Sequence, residues 1–202
     1  MLEHLMPESE ARSHLEPHLS AIYGCVEGGW GDWNALLIES PRVAIVRSAT
    51  RANLVYDFIA DRLGNYFEVQ GITMVKKAGI ITASLAEGRL ALRIKKFQHP
   101  EKLTTAGIPT QERLRQMYQQ VTLDGLAVTY LTIGYFPDEL GEGLDVVAIA
   151  CSFGNQLQWS INLKLEGESV GVVQPIREEE IDFEPLVRST KTRRVRESEQ
   201  VN

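Results

Sequence analysis

Arg89-Leu90-Ala91-Leu92-Arg93-Ile94-Lys95-Lys96-Phe97 alternates apolar and cationic side chains, with Leu90, Leu92 and Ile94 on one face and Arg89, Arg93 and Lys95 on the other. A period of two marks a strand that is buried on one side only. The run Ile80-Ile81-Thr82-Ala83-Ser84-Leu85 precedes it, and Ala86-Glu87-Gly88 between them has the length and the glycine of a hairpin turn. A further strand-like run covers 69–77, joined to 80–85 through Lys76-Lys77-Ala78-Gly79. Short connections of this kind predict an antiparallel meander.

Upstream, Leu54, Val55, Phe58, Ile59 and Leu63 form an apolar helical stripe, with Arg51, Asp57 and Asp61 facing outward. Ser48 or Thr50 is placed to cap this helix, which is expected over 50–63 with Gly64-Asn65 as its stop. Further upstream, Leu15, Leu19, Ile22, Tyr23 and Val26 recur at helical spacing, and Pro17 is expected to kink the segment. Gly28-Gly29-Trp30-Gly31-Asp32-Trp33 reads as a loop bearing two tryptophans, which either plug the core or form a contact surface. Residues 41–46 read as a short strand.

Downstream, 98–109 reads as a surface loop and 111–120 as a helix capped by Thr110, with Leu114, Met117 and Tyr118 inward. Strands are expected at 126–136, 144–153 and 156–163. In the last, Leu157, Trp159, Ile161 and Leu163 face the core and Gln158, Ser160 and Asn162 face water. The fold class is therefore α+β. One domain, 1–175, carries a six- to seven-stranded, mainly antiparallel sheet flanked by helices, with the N-terminal helical segment 1–40 packed on it. From 176 to 202 an acidic block, Glu178 to Glu184, gives way to a basic one, and this charged tail is expected to be disordered.

A chain of 202 residues with a net charge of −6 can build a sizeable core and is not a protein that coats nucleic acid by bulk charge. Nothing approaches the roughly 20 apolar residues of a membrane span, and the N-terminus lacks the pattern of a signal peptide. With only Cys25 and Cys151, far apart, a reducing cytoplasm is the expected location.

Each candidate for chemistry lacks a part. His14 and His18 share helical i, i+4 spacing, but zinc needs a third ligand and Pro17 disturbs the turn. Neither cysteine has a base or a cationic neighbour in sequence to activate it. The order helix, three strands, helix, strand over 51–136 resembles the core of the PD-(D/E)xK nuclease superfamily. There, acids on the second and third strands hold a metal that activates water. At the corresponding positions this sequence has Thr82 and Ser84, then Arg93-Ile94-Lys95. The resemblance thus implies a nuclease-like fold without its metal site.

What remains is binding. No catalytic residue, metal or cofactor is assigned, and the leading expectation is a non-enzymatic protein-binding component of adaptor, inhibitor or antitoxin type, without membrane contact. Its partner is another protein or a second copy in a homo-oligomer. The contact residues expected are Trp30 and Trp33 in the loop and Ile181, Phe183, Leu186, Arg193, Arg194 and Arg196 in the tail. The alternative is a nucleic-acid or anion surface of Arg89, Arg93 and Lys95, extended by Lys76 and Lys77, opposed by the reading of these charges as a guarded sheet edge. An enzyme assembled from distant residues is the third possibility, centred on His99 and Thr104.

Overall fold

The computed structural model describes residues 5–77, 80–105, 114, 116–119 and 127–164. Three α-helices come first: α1 (Glu8–Leu15), α2 (Leu19–Glu39) and α3 (Ser48–Val69). Six strands follow: β1 (Met74–Lys77), β2 (Ile80–Leu85), β3 (Leu90–Lys96), β4 (Thr129–Pro137), β5 (Leu144–Phe153) and β6 (Gln156–Asn162). They form one sheet in sequential order, antiparallel throughout except where β3 meets β4. An α+β fold with a mainly antiparallel sheet is thus what the chain adopts. The expected tail at 176–202, and with it the domain boundary, lies outside the described residues.

Pro17 acts as a hinge of one 3-10 turn, Glu16–His18, between α1 and α2. A proline ring has no N–H to donate and clashes with the preceding turn, so the helix restarts beyond it. The loop expected at 28–33 is instead the middle of α2. Its glycines answer to α3. A Cβ on Gly29 would lie 2.6 Å from Ile59 Cγ1 and 2.8 Å from the Ile59 backbone nitrogen, and one on Gly28 would lie 2.8 Å from the Arg62 guanidinium. At Gly29 the two helices pass almost backbone to backbone, and only glycine permits it, whereas the neighbour of Gly28 is the movable end of a side chain. Residues 41–46 form not a strand but a 3-10 turn, Pro41–Ile45, between α2 and α3.

α3 buries the expected stripe through Val55, Ile59, Leu63 and Phe67, but it runs past Gly64-Asn65 to Val69. It stops where Gly71 adopts φ +69° and Ile72 N–H donates to the Phe67 carbonyl (2.8 Å). A left-handed glycine just past the last turn closes many helices in this way. Val69, expected in a strand, is the last residue of the helix.

The helices cover one sheet face. Leu90, Leu92 and Ile94 of β3 join Leu131 and Ile133 of β4 and Ile149 and Cys151 of β5 in a core with Ile22, Val26, Ile59 and Leu63. Each such side chain removed from water contributes about 1.5–3 kcal/mol. The hairpin at 86–88 forms as expected, with Ala86, Glu87 and Gly88 all at positive φ and Leu85 opposite Leu90. The N-terminal segment is pinned across the sheet: Met6 N–H donates to Thr129 Oγ1 (2.9 Å), and Trp159 Nε1–H donates to the Met6 carbonyl (3.3 Å).

The opposite face holds a smaller core of Phe97, Leu103, Ala148 and Ala150. A parallel β3–β4 pair needs a long crossover. The described part of the 98–128 connection lies on this second face, where Thr105 pairs with Phe97 and Leu103 is buried. Of the helix expected at 111–120, the described residues 114, 116 and 117 are helical. Its burial is inverted, however: Gln116 and Gln119 are buried, whereas Leu114 and Tyr118 are exposed. In β6 the register shifts opposite Cys151/Ser152. This moves Leu157 into the second core, while Trp159 and Ile161 keep to the first.

Candidate functional site

The basic strand does not present an open cationic face. Arg89, at the tip of the hairpin, donates to Glu10 Oε1 of α1 (2.6 Å), with His14 Nε2 at 3.5 Å. Arg93 is half-buried under the crossover and donates to Thr132 Oγ1 (3.2 Å) and Gln116 Oε1 (3.0 Å). Lys95 is likewise engaged within the chain. Lys76 and Lys77 lie on β1, two strands away from β3. Arg93 instead holds the crossover to the sheet.

Trp30 and Trp33 lie inside α2 and are buried, at 4% and 3% exposure. Trp30 stacks at a tilt on Tyr135 of β4, ring centroids 6.1 Å apart, and its Nε1–H is sealed without an acceptor. Of their two readings, the structure takes the core one. Ile181, Phe183, Leu186, Arg193, Arg194 and Arg196 lie outside the described residues. His99 lies at the start of the crossover, where its carbonyl accepts from Leu103 N–H (3.0 Å). His14 faces Arg89, while His18 Nδ1 lies 2.8 Å from the Tyr66 hydroxyl, and burial lowers the His18 pKa. Among the described residues, no three His, Cys, Asp or Glu side chains converge as metal ligands, and no helix is long and apolar enough to cross a membrane.

The feature that does assemble is a groove of about 600 Å³ between α3 and the β1–β2 edge. Asp57, Asp61, Asn65 and Glu68 line the α3 wall, one helical turn apart or nearly so. Ile72, Met74 and Ile81 form the apolar floor opposite. Gly64 keeps the wall low: a Cβ there would reach Met74 Sδ at 4.0 Å. Among the described residues β1 is the end strand, with no strand beside its outer N–H and C=O groups, and Val75 on it is half-exposed. Such an edge is a template for one more strand. The signal was present in sequence as the spacing of Asp57, Asp61, Asn65 and Glu68 on one face. What faces it was not.

Comparison of the chain with protein-family models, with curated proteins and with solved structures finds no match.

Proposed function

We propose that the protein is a non-enzymatic protein-binding component that takes an extended, basic and apolar segment of its partner along the β1 edge. The observation that carries this reading is the groove itself, with carboxylates on one wall, apolar side chains on the other, and beside it a strand whose outer edge has no partner among the described residues. Main-chain pairing to an edge strand supplies affinity, and alternating side chains supply specificity. Lys or Arg side chains of the segment would meet Asp57, Asp61 and Glu68, while the intervening apolar ones would reach Ile72, Met74 and Ile81. The tail residues Ile181 and Phe183 belong to the same proposal as a second contact. A reducing cytoplasm suits the two free thiols, Cys25 and Cys151. The nucleic-acid alternative draws less support, because Arg89 and Arg93 are spent on contacts within the chain.

Selection from a random peptide library displayed on phage tests this, with Asp61→Lys as the counter-target. The expected outcome is enrichment of sequences alternating Lys or Arg with apolar residues, lost on the variant, with β1 amides protected from exchange by a selected peptide. Enrichment indifferent to Asp61→Lys would sink the reading. Replacing Ile181 and Phe183 with serine in the full chain measures the share of the tail.

A further inference from the structure

A second cavity, of about 520 Å³, opens at the other end of α3, between its first turns and the end of β3. Ser48 and Ala49 stand at its mouth, and Lys96, Phe97 and Tyr135 form its far wall. The helix begins without a side-chain cap and with no acidic residue in its first turn. The N–H groups of Ser48, Ala49 and Thr50 come before the first intrahelical bond, that of Arg51 N–H to the Arg47 carbonyl. A 22-residue helix ending in open amides carries partial positive charge there.

The helix end is not alone. Tyr135 is 2% exposed, yet its hydroxyl makes no hydrogen bond with any described residue. The only described side-chain polar atom both sealed and unpartnered is Trp30 Nε1. The Tyr135 oxygen is therefore not sealed, and the open space its side chain lines is this cavity. A buried phenol aimed into a cavity without an acceptor is a donor awaiting a ligand. Burial holds its pKa above the ordinary tyrosine range, so at neutral pH it keeps its proton to donate.

Lys96 adds charge. No carboxylate among the described residues pairs with it. Burial lowers its pKa, and the nearby positive charge of Arg51 lowers it further. An anion beside Lys96 would accept from its ammonium, from the Tyr135 hydroxyl and from the open amides together.

We propose that this cavity binds the phosphate group of a small organic phosphate, seated on the Ser48, Ala49 and Thr50 amides, Lys96 and the Tyr135 hydroxyl. The cavity is far larger than phosphate alone and within the range of small-molecule sites. Ala49 and Ala52 line it as apolar contact for the organic part. This site is separate from the acidic groove and does not depend on it.

Titration of the full chain with inorganic phosphate, phenyl phosphate and phenol, followed by amide NMR, tests the proposal. The expected result is saturable shifts at Ser48, Ala49 and Thr50 with both phosphates, phenyl phosphate binding about tenfold tighter, and none with phenol. Lys96→Gln and Tyr135→Phe should each weaken binding by about tenfold or more. Ser48→Asp supplies a carboxylate to the same amides, so it should raise the melting temperature and reduce phosphate binding. Shifts that do not saturate, or that survive both Lys96→Gln and Tyr135→Phe, would overturn the assignment even if every variant folds.

Discussion

The ring of Phe97 lies directly on the backbone of Gly134: a Cβ at that position would fall 1.9 Å from Phe97 Cζ and 2.2 Å from Cε2. Gly134 is mid-strand in β4, paired with Lys95 on one side and Ala148 on the other, so it cannot step aside. Phe97 is 1% exposed and directly follows β3, where its N–H donates to the Tyr135 carbonyl (2.9 Å). The contact anchors the crossover at the point where it leaves the sheet. Gly134→Ala should therefore destabilise the protein by about 3 kcal/mol or more, at the upper end for overpacking, because neither the ring nor the strand can yield. Adding Phe97→Leu should recover part of that loss. Denaturant melts of the two single variants and the double variant measure the coupling, and simple additivity would refute the close contact.

Gly29 and Gly31 stand two residues apart in α2 and should respond oppositely to alanine. Helix propensity favours alanine by about 1 kcal/mol at both. At Gly31 nothing lies within 4 Å, so Gly31→Ala should stabilise by nearly that amount. At Gly29 the new methyl would meet the Ile59 backbone at 2.8 Å, and separating the helices costs more than propensity returns. Gly29→Ala should destabilise by about 2 kcal/mol. Equal shifts in melting temperature would refute the close crossing.

The acid limb of the stability curve should contain two separate steps. Burial depresses the folded-state pKa of His18, so its contribution is full above the unfolded value of about 6.5 and is lost as pH falls through the folded value. The hydrogen bond from Arg62 depresses that of Asp32, with the same sign in a lower window: full above about 3.9 and lost below. Arg62 holds Asp32 with two 2.7 Å bonds, yet the side chains are 43% and 37% exposed, so the pair is worth only about 0.2–1 kcal/mol. His18→Gln should remove the upper step and Asp32→Asn the lower. Stability measured against pH for each variant separates them.

Both thiols should be slow toward disulfide reagents. Burial raises the Cys151 pKa to about 12 and also raises that of Cys25, where the Arg62 charge offsets only part of the effect. The thiolate is the reactive form. Ellman's reagent should thus react with Cys25 slowly and with Cys151 only on unfolding. A fast Cys151 in the native protein would contradict its place in the core.

Much of the sheet was legible because its strands alternate or run apolar between turn residues. β5 was read at its observed bounds, and β2 and β3 to within a residue. What failed shares one cause, namely that the deciding neighbour was distant in sequence. Gly28 and Gly29 look like breakers until Arg62 and Ile59 are set against them. The alternation of Arg93 was read correctly, but its far side faces the crossover and not water. Of the groove, one wall was visible as a spacing of acids, and the apolar floor only after β1 was placed beside α3. The cavity at Ser48 was not visible at all, since Tyr135 and Lys96 reach it through the parallel β3–β4 pairing.

That pairing also leaves an unfinished rung, and Gln119 completes it. The β4–β5 ladder runs from Pro137 only as far as Leu131 opposite Cys151, which leaves Tyr130 and Ser152 beyond its last pair. The Gln119 amide fills the gap as a peptide group would. Its Oε1 accepts from Tyr130 N–H (2.7 Å), and its Nε2 donates to the Tyr130 carbonyl (2.9 Å) and the Ser152 carbonyl (3.0 Å). The side chain is 1% exposed and its residue sits at φ +49°, a conformation glutamine adopts at a cost. Gln119→Ala would orphan three part-buried main-chain groups, and each such group costs about 1–3 kcal/mol where water does not replace the partner. A loss of about 3 kcal/mol is expected, with faster amide exchange at Tyr130. Gln119→Glu sharpens the test. A carboxylate cannot donate to two carbonyls, whereas the protonated acid can donate to one, so burial raises its folded pKa. Its stability deficit should then shrink as pH falls toward the unfolded glutamate value of about 4.3 and be largest above the raised folded value. A deficit independent of pH would show that the amide is not the missing rung.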